Sequence, residues 1–114
     1  MEKENIKEKD GELAIYEASY LFLPSLALEQ VPAKVASLKD MLTSAGGAII
    51  SDESAVLIDL AYPMTKIVGT TRHKVSTGYF GWVKFETTPD GIEAVKKSFD
   101  GNDDVVRYLI IKTV

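Results

Sequence analysis

The sequence contains no cysteine and only one histidine among its 114 residues. Without cysteine the chain has no disulfide, no thiolate metal site and no thiol nucleophile. The single histidine, His73, stands between Arg72 and Lys74, and no carboxylate near it in the sequence could orient it as a general base or complete a metal site. We therefore predict a protein that is not an enzyme and that needs no metal or other cofactor.

Long hydrophobic runs are missing as well. No apolar stretch approaches the roughly 20 residues that a membrane-spanning helix needs, and residues 1–12 are charged rather than apolar. That segment therefore does not resemble a signal peptide, and its alternating charges are typical of a solvated tail. We expect a cytoplasmic protein without membrane association, made of a disordered charged extension at residues 1–12 and one domain at residues 13–114.

Positive charge is also scarce. The chain has 13 basic and 17 acidic residues, which gives a net charge of −4. Proteins that bind RNA alone are usually basic, because neutralising phosphates supplies much of their affinity. The count therefore argues against RNA binding by the whole surface, but it leaves room for a local basic patch that a second protein completes.

The rest of the sequence alternates between strand-like and helix-like apolar patterns. Runs rich in Ile, Val, Tyr and Phe indicate strands, and apolar residues at steps of three and four indicate two helices. Pro32 suits the first turn of one helix, and Thr88-Pro89-Asp90 is a start signal for the other. The predicted strands cover residues 13–23, 48–62 (with a bulge at 52–54), 78–87 and 105–114, and the helix faces are Val31, Val35, Leu38, Leu42, Ala45 and Ile92, Val95, Phe99.

This order of elements, strand-helix-strand-strand-helix-strand, predicts an α+β fold of the ferredoxin-like type, a βαββαβ sandwich. Right-handed crossovers place both helices on one face of a four-stranded antiparallel sheet. The other face has no cover of its own, and its apolar and aromatic content suggests that RNA or a partner covers part of it.

The connection between the second and third strands, residues 64–77, is predicted to be a long loop. It holds Lys66, Arg72, His73 and Lys74 and no acidic residue. Long loops in compact domains are usually functional or disordered. We interpret this one as a flexible basic arm that contacts phosphates, although a mobile hairpin tip with chance charge is nearly as well supported by these residues.

Two cations lie on the last strand and, by alternation, on opposite faces of it. Arg107 has apolar neighbours in the sequence, so we expect it to pair with an acidic group or a phosphate. Lys112 can also be interpreted as a solvated lysine that discourages further strand pairing at a sheet edge.

The segment Gly78-Tyr79-Phe80-Gly81-Trp82-Val83-Lys84-Phe85 resembles the aromatic strand with which RNA-recognition motifs stack bases. The extra residue Phe80 disturbs the match, because strand side chains alternate with a period of two. Aromatic packing in the core and sheet is the favoured interpretation.

A pattern along the same strands resembles the family of the sixth protein of the bacterial small ribosomal subunit. Its pieces are Tyr16-Glu17, Leu60-Ala61-Tyr62-Pro63-Met64 followed by Lys66, Gly78-Tyr79-Phe80, and the last strand from Val105 to Lys112. The resemblance covers about residues 13–114 and is most specific in the Leu-Ala-Tyr-Pro segment.

The resemblance implies a non-catalytic ribosomal protein with a ferredoxin-like fold. It implies binding to the central domain of 16S ribosomal RNA, a heterodimer with the eighteenth small-subunit protein, and contact with neighbouring small-subunit proteins. The candidate contacts that it and the charge pattern provide are Lys66, Arg72, Lys74, Arg107 and Lys112 for RNA, and Tyr16, Glu17 and Tyr62 for the partner protein.

The sequence departs from the family pattern where basic residues are usual. Ile58 and Asp59 precede the Leu-Ala-Tyr-Pro segment, and Val106 replaces the first of two arginines in the last strand. The connection after Lys66 is about ten residues longer than usual. Our hypothesis is that its cations replace the charges lost from the strands.

Two other functions remain open on the sequence. One is a stand-alone domain of the RNA-recognition type that stacks single-stranded bases on Tyr79 or Trp82. The other is a ferredoxin-like metabolite sensor or oligomeric enzyme that dimerises through the uncovered sheet face.

Overall fold

The computed structural model describes residues 13–113, so the predicted extension at residues 1–12 lies outside the described part of the chain. Four strands and two α-helices follow one another in the predicted order. They are β1 (Ala14–Phe22), α1 (Val31–Ser44, after a 3-10 turn at Leu28–Gln30), β2 (Ala48–Val68), β3 (Thr71–Thr87), α2 (Pro89–Asp100) and β4 (Val105–Lys112).

The four strands form one sheet in the order β2-β3-β1-β4, and every neighbouring pair is antiparallel. Both helices contribute to a single core on one face of this sheet, which confirms the predicted ferredoxin-like fold. The core joins α1 and α2 to alternate residues of β1 and β3, and its fully buried members include Tyr20, Phe22, Leu38, Leu42, Phe85, Val95 and Phe99.

The helix boundaries follow from local chemistry. In α2 the Thr88 side chain accepts a hydrogen bond from the Gly91 amide at 3.2 Å, and Pro89 occupies the first helical position. Pro32 lies in the first turn of α1, and Gly46, with φ of 96°, follows the helix in a conformation that favours glycine. These starts and stops confirm the predicted ones.

The predicted loop at residues 64–77 is wrong. β2 continues to Val68 and β3 begins at Thr71, so only Gly69 and Thr70 connect the two strands. The segment has few large apolar residues because it is a solvated two-stranded hairpin, and its Thr, Ile and Val residues favour extended backbone.

The second strand also does not end at Pro63. The partners of β2 shift from Asp59 opposite Thr77 to Met64 opposite Val75, so five steps on β2 face two steps on β3 and three residues bulge out. Pro63 lies in this bulge, where its missing amide hydrogen removes no ladder hydrogen bond. A smaller shift, between Glu53 and Val56, agrees with the predicted bulge at 52–54.

No helix in the described part of the chain is long and apolar enough to cross a membrane.

Candidate nucleic-acid interface

A two-stranded ribbon extends the hairpin of β2 and β3 beyond the rest of the sheet. The pairing of β1 with β3 ends at Phe22 opposite Tyr79, whereas β2 and β3 remain paired to Val68 opposite Thr71. We call residues 64–75 the ribbon. With it the molecule measures 53 Å in its longest dimension, against 28 and 25 Å in the other two, so the ribbon gives an otherwise small domain an elongated shape.

The ribbon closes with a two-residue turn at Gly69-Thr70. Gly69 has φ of 62°, and no non-glycine residue in the described part of the chain has a positive φ. A glycine with positive φ at the first central position is typical of the type II′ turn, whose twist matches that of the flanking strands. The ribbon is therefore specified locally, by one glycine between two β-favouring segments.

Cations lie on both faces of the ribbon. The register places Lys66 opposite His73, Thr65 opposite Lys74 and Ile67 opposite Arg72. Residues directly opposite each other share a face, and consecutive residues point to opposite faces. One face therefore carries Lys66 and His73, and the other carries Arg72 and Lys74.

No carboxylate neutralises these side chains in the described structure. Residues 13–113 contain two ion pairs, Lys34 with Asp104 and Lys39 with Asp52, each at 2.8 Å and both remote from the ribbon in sequence. From residue 60 to residue 85 the sequence has no acidic residue, while it has Lys66, Arg72, Lys74 and Lys84. The ribbon is thus a concentrated positive feature on a chain of net charge −4.

The structure separates the two predicted cations of β4. Arg107 lies opposite Leu21, at the end of the sheet from which the ribbon projects, while Lys112 lies opposite Tyr16 near the other end. Five residues of extended chain span roughly 17 Å. Arg107 therefore lies at the same end of the sheet as the ribbon, whereas Lys112 lies near the opposite end.

The three residues predicted to bind a partner protein do not form one cluster. Tyr16 packs on the helix side of the sheet, stacked on Phe85 with ring centroids 6.1 Å apart, and Glu17 points to the opposite face. Tyr62 lies in the β2 bulge and is 62% exposed. Of the three, only Tyr62 is both apolar and freely accessible.

The open face of the sheet carries an apolar groove that the sequence analysis did not locate. Its volume is about 400 Å³, and two of the large apolar side chains that line it are substantially exposed, Phe80 at 37% and Leu109 at 61%. We call it the open-face groove; its lining includes Ser19, Leu21, Ile58, Leu60, Met64, Phe80, Arg107 and Leu109.

The groove was missed because several strands build it together. Leu60 and Met64, at the two ends of the β2 bulge, line it with residues of β1, β3 and β4, and the pairing of these strands is not encoded in any one of them. One sequence signal for the groove was available in the last strand, whose apolar residues continue on both faces. Tyr108 and Ile110 pack on the core side, and Leu109 and Ile111 remain on the open face.

The aromatic residues of β3 are divided between the two faces. Tyr79 is only 6% exposed, and its hydroxyl donates a hydrogen bond to the Leu26 carbonyl at 3.3 Å. Trp82 lies on the open face, and its indole Nε1 donates to Glu53 Oε1 at 2.9 Å. Base stacking on Tyr79 would require the core to open, so the packing interpretation of this residue is confirmed.

Two tyrosines on the core side have raised pKa values. Burial, with a smaller contribution from the negative charge of Asp52, raises the pKa of Tyr20 to about 12. The hydrogen bond from the Tyr108 hydroxyl to Asp100 Oδ1, at 2.7 Å, is the main cause that raises the pKa of Tyr108 to about 12. Both groups hold packed elements together, and neither lies on the ribbon.

These features define a class: a ferredoxin-like α+β domain with a projecting basic ribbon and an apolar open face. The family model described as ribosomal protein S6 matches residues 15–112. The chain therefore belongs to the ribosomal protein S6 family.

Two relatives support this assignment, and one solved structure shares the fold. The chain is 32% identical over 97 residues to the small ribosomal subunit protein bS6 of Acholeplasma laidlawii, a match that covers 85% of this chain and 94% of the relative. It is also 32% identical to the bS6 protein of Phocaeicola vulgatus, over 85% of this chain and 78% of that protein. The crystal structure of 30S ribosomal protein S6 from Thermotoga maritima has the same fold, with a TM-score of 0.74 at 16% identity over 90% of this chain and 89% of the other.

Proposed function

We propose that this chain is a structural constituent of the small ribosomal subunit. It binds the central domain of 16S ribosomal RNA together with the eighteenth small-subunit protein, next to other small-subunit proteins, in the cytoplasm. The observation that carries the proposal is the acid-free basic ribbon on a fold of the ribosomal protein S6 family. The role is one of scaffolding, since binding and shape, rather than a reaction, are what these surfaces offer.

The electrostatics of the chain support binding by one end of the molecule. Residues 60–85 hold four cations and no acid, and the whole chain has a net charge of −4, so the remaining residues together carry −8. Phosphates attract the ribbon, while the acidic remainder keeps the body away from the RNA backbone. The RNA contacts that we propose are therefore the ribbon cations and Arg107 near them, with Lys112 at the other end of β4 as a further candidate.

The open-face groove supports the second half of the proposal, the partner protein. An exposed apolar patch rimmed by polar residues is typical of a protein interface. Outside the ribbon, three carboxylates, Glu17, Glu53 and Glu86, lie on this face against two cations, Lys84 and Arg107, so this part of the face keeps an excess of negative charge. A basic partner with an apolar segment is complementary to such a surface, and the pair would then present more positive charge to RNA than this chain does alone.

The first test is the composition of mature subunits. We expect quantitative mass spectrometry of small subunits purified at high salt to find one copy of the chain per subunit. Absence of the chain, or an amount far below one copy, would contradict the proposal.

A charge-reversal variant tests the ribbon. Arg72→Glu together with Lys74→Glu replaces two phosphate-neutralising cations with carboxylates, so incorporation into reconstituted small subunits should fall at least tenfold at low salt. The deficit relative to the native chain should shrink at higher salt, where phosphate contacts contribute less to affinity. The matched control is Lys96→Glu with Lys97→Glu, on the exposed surface of α2. It makes the same change in net charge and should assemble normally. Equal incorporation of both variants would reject the basic-ribbon hypothesis.

A further inference from the structure

We propose that the ribbon inserts between two separate segments of RNA backbone and holds them together, one on each of its faces. This inference rests on the proposed function and adds to it the kind of RNA structure that the ribbon recognises. A site that binds a single backbone needs cations on one face only. The ribbon carries them on both.

The register carries the argument. Lys66 and His73 share one face, and Arg72 and Lys74 share the other. Because successive strand side chains point in opposite directions, Lys66 and Arg72 cannot reach the same row of phosphates from a ribbon that lies flat on RNA. If only one face contacted RNA, the cations on the other would have no counterion from this chain, since neither ion pair in the described residues involves the ribbon.

Exposed apolar surface on the Arg72 face also supports contact with RNA there. Ile67 shares a face with Arg72 and Lys74, and 60% of it is exposed. Between two cations on an isolated ribbon, such a residue would be left in water. Contact with ribose and base edges, flanked by phosphate contacts to Arg72 and Lys74, covers it.

The low stability that we expect of an uncovered two-stranded ribbon favours contact with RNA on both of its faces. Two-stranded hairpins are marginal in water unless a third strand or another layer covers them. Beyond the last β1 pair, Phe22 with Tyr79, no third strand pairs with the hairpin in the described structure. Val75 is buried where the ribbon leaves the body, but Arg72 and Lys74 are exposed toward the tip. RNA on both faces supplies the layers that the protein lacks.

Site-specific crosslinking tests the inference directly, because the chain has no cysteine of its own. Thr65→Cys places a thiol on the Arg72 face, Thr71→Cys places one on the Lys66 face, and both positions are exposed. Each variant is labelled with a short photo-crosslinker and assembled into small subunits, and the crosslinked nucleotides are mapped. Ser37→Cys, exposed on α1, is the control.

We expect the two ribbon probes to crosslink to two RNA segments that are distant in the RNA sequence or lie on opposite strands, and the control to crosslink to neither. Crosslinks from both probes to one segment, or from only one of them, would overturn the bridging inference and leave the proposed function standing. Failure of the unlabelled chain to enter small subunits would instead remove the proposed function, and the inference with it.

Neutral variants give a second readout. Lys66→Gln should remove hydroxyl-radical protection from one backbone segment, and Arg72→Gln with Lys74→Gln should remove it from the other. Each lost phosphate contact should lower the slope of log affinity against log salt by about 0.7–0.9. Lys96→Gln is the matched control. Loss of the same protected segment in both variants would contradict a two-sided contact.

Discussion

The close approach of two strands restricts which residue the fold can accept at position 81. Gly81 in β3 lies opposite Tyr20 in β1, and a Cβ atom on Gly81 would lie 2.5 Å from Tyr20 Oη and 3.1 Å from the Glu53 carbonyl oxygen. One of those neighbours is backbone, and the tyrosine is almost fully buried. The hydroxyl of Tyr20 therefore occupies the space that a side chain at position 81 would need.

Gly81→Ala should accordingly lower the free energy of unfolding by ~1–3 kcal/mol, the usual cost of overpacking a closed site. Gly101→Ala is a suitable control, because Gly101 has φ of −87° and a Cβ there would meet only ordinary contacts at 3.5 Å or more. Urea unfolding measures both. Equal stability of the two variants would show that the tyrosine moves aside at little cost.

Tyr20 and Tyr108 also predict how the protein responds to alkali. Each has a native pKa of about 12 against an ordinary value of 10.0. Between these values the unfolded chain releases protons that the native chain retains, so the stabilisation is complete below pH 10 and is lost as the pH rises through 12. We expect the free energy of unfolding to fall across this range.

Tyr108→Phe isolates one of the two groups. The variant loses the hydrogen bond to Asp100 and should be less stable at neutral pH, but its stability should decline less steeply between pH 10 and 12 because one titrating group is gone. The ring stack on Phe99, with centroids 4.7 Å apart, is retained by phenylalanine. Urea unfolding at several pH values, compared with the native chain, checks the slope.

At the scale of elements, the ribbon depends on its turn. Gly69 has φ of 62°, and a Cβ atom there would meet nothing within 4 Å, so an alanine would be penalised by backbone strain alone. A non-glycine residue in such a conformation costs ~1–3 kcal/mol. In a two-stranded element with little stability of its own, that loss is enough to open the tip.

Gly69→Ala should therefore reduce the hydrogen-exchange protection of ribbon amides and leave the amides of β1 and the helices unchanged. The β1–β3 ladder does not extend into the ribbon, so opening the tip breaks no contact of the core. Hydrogen exchange resolved by residue distinguishes the two regions. A loss of protection throughout the protein would mean that the ribbon and the body unfold together.

At the scale of the whole molecule, the basic ribbon and the apolar open-face groove adjoin each other, because Met64 of the ribbon and Arg107 both line the groove. The ribbon concentrates positive charge at one end, and the open-face groove exposes apolar side chains on the sheet face without helices. RNA on the ribbon and a protein partner in the groove would therefore lie next to each other. The proposed heterodimer depends on this proximity.

Leu109→Glu tests the groove. Leu109 is 61% exposed, so the substitution should leave the fold intact while it puts a charge where an apolar partner segment would dock. We expect binding to the purified eighteenth small-subunit protein to weaken by at least tenfold in calorimetric titration. Leu28→Glu, at a residue that is 71% exposed in the 3-10 turn before α1, is the control and should bind normally.

The sequence by itself determined the order of elements, the helix ends and the existence of an uncovered sheet face. These depend on local chemistry: apolar periodicity, Pro32 and Pro89 at helix starts, and the Thr88 cap. It also provided the acid-free charge pattern that the ribbon presents, because charge is a property of composition.

Only the tertiary structure decided the form of the connection, the faces of the cations and the position of the groove. Pro63 suggested a strand end, but pairing with β3 continues past a three-residue bulge, and β3 itself begins seven residues earlier than predicted. Such a bulge resets the alternation on which sequence reasoning relies. Which side chains share a face is therefore fixed by the register between strands, which no single strand encodes.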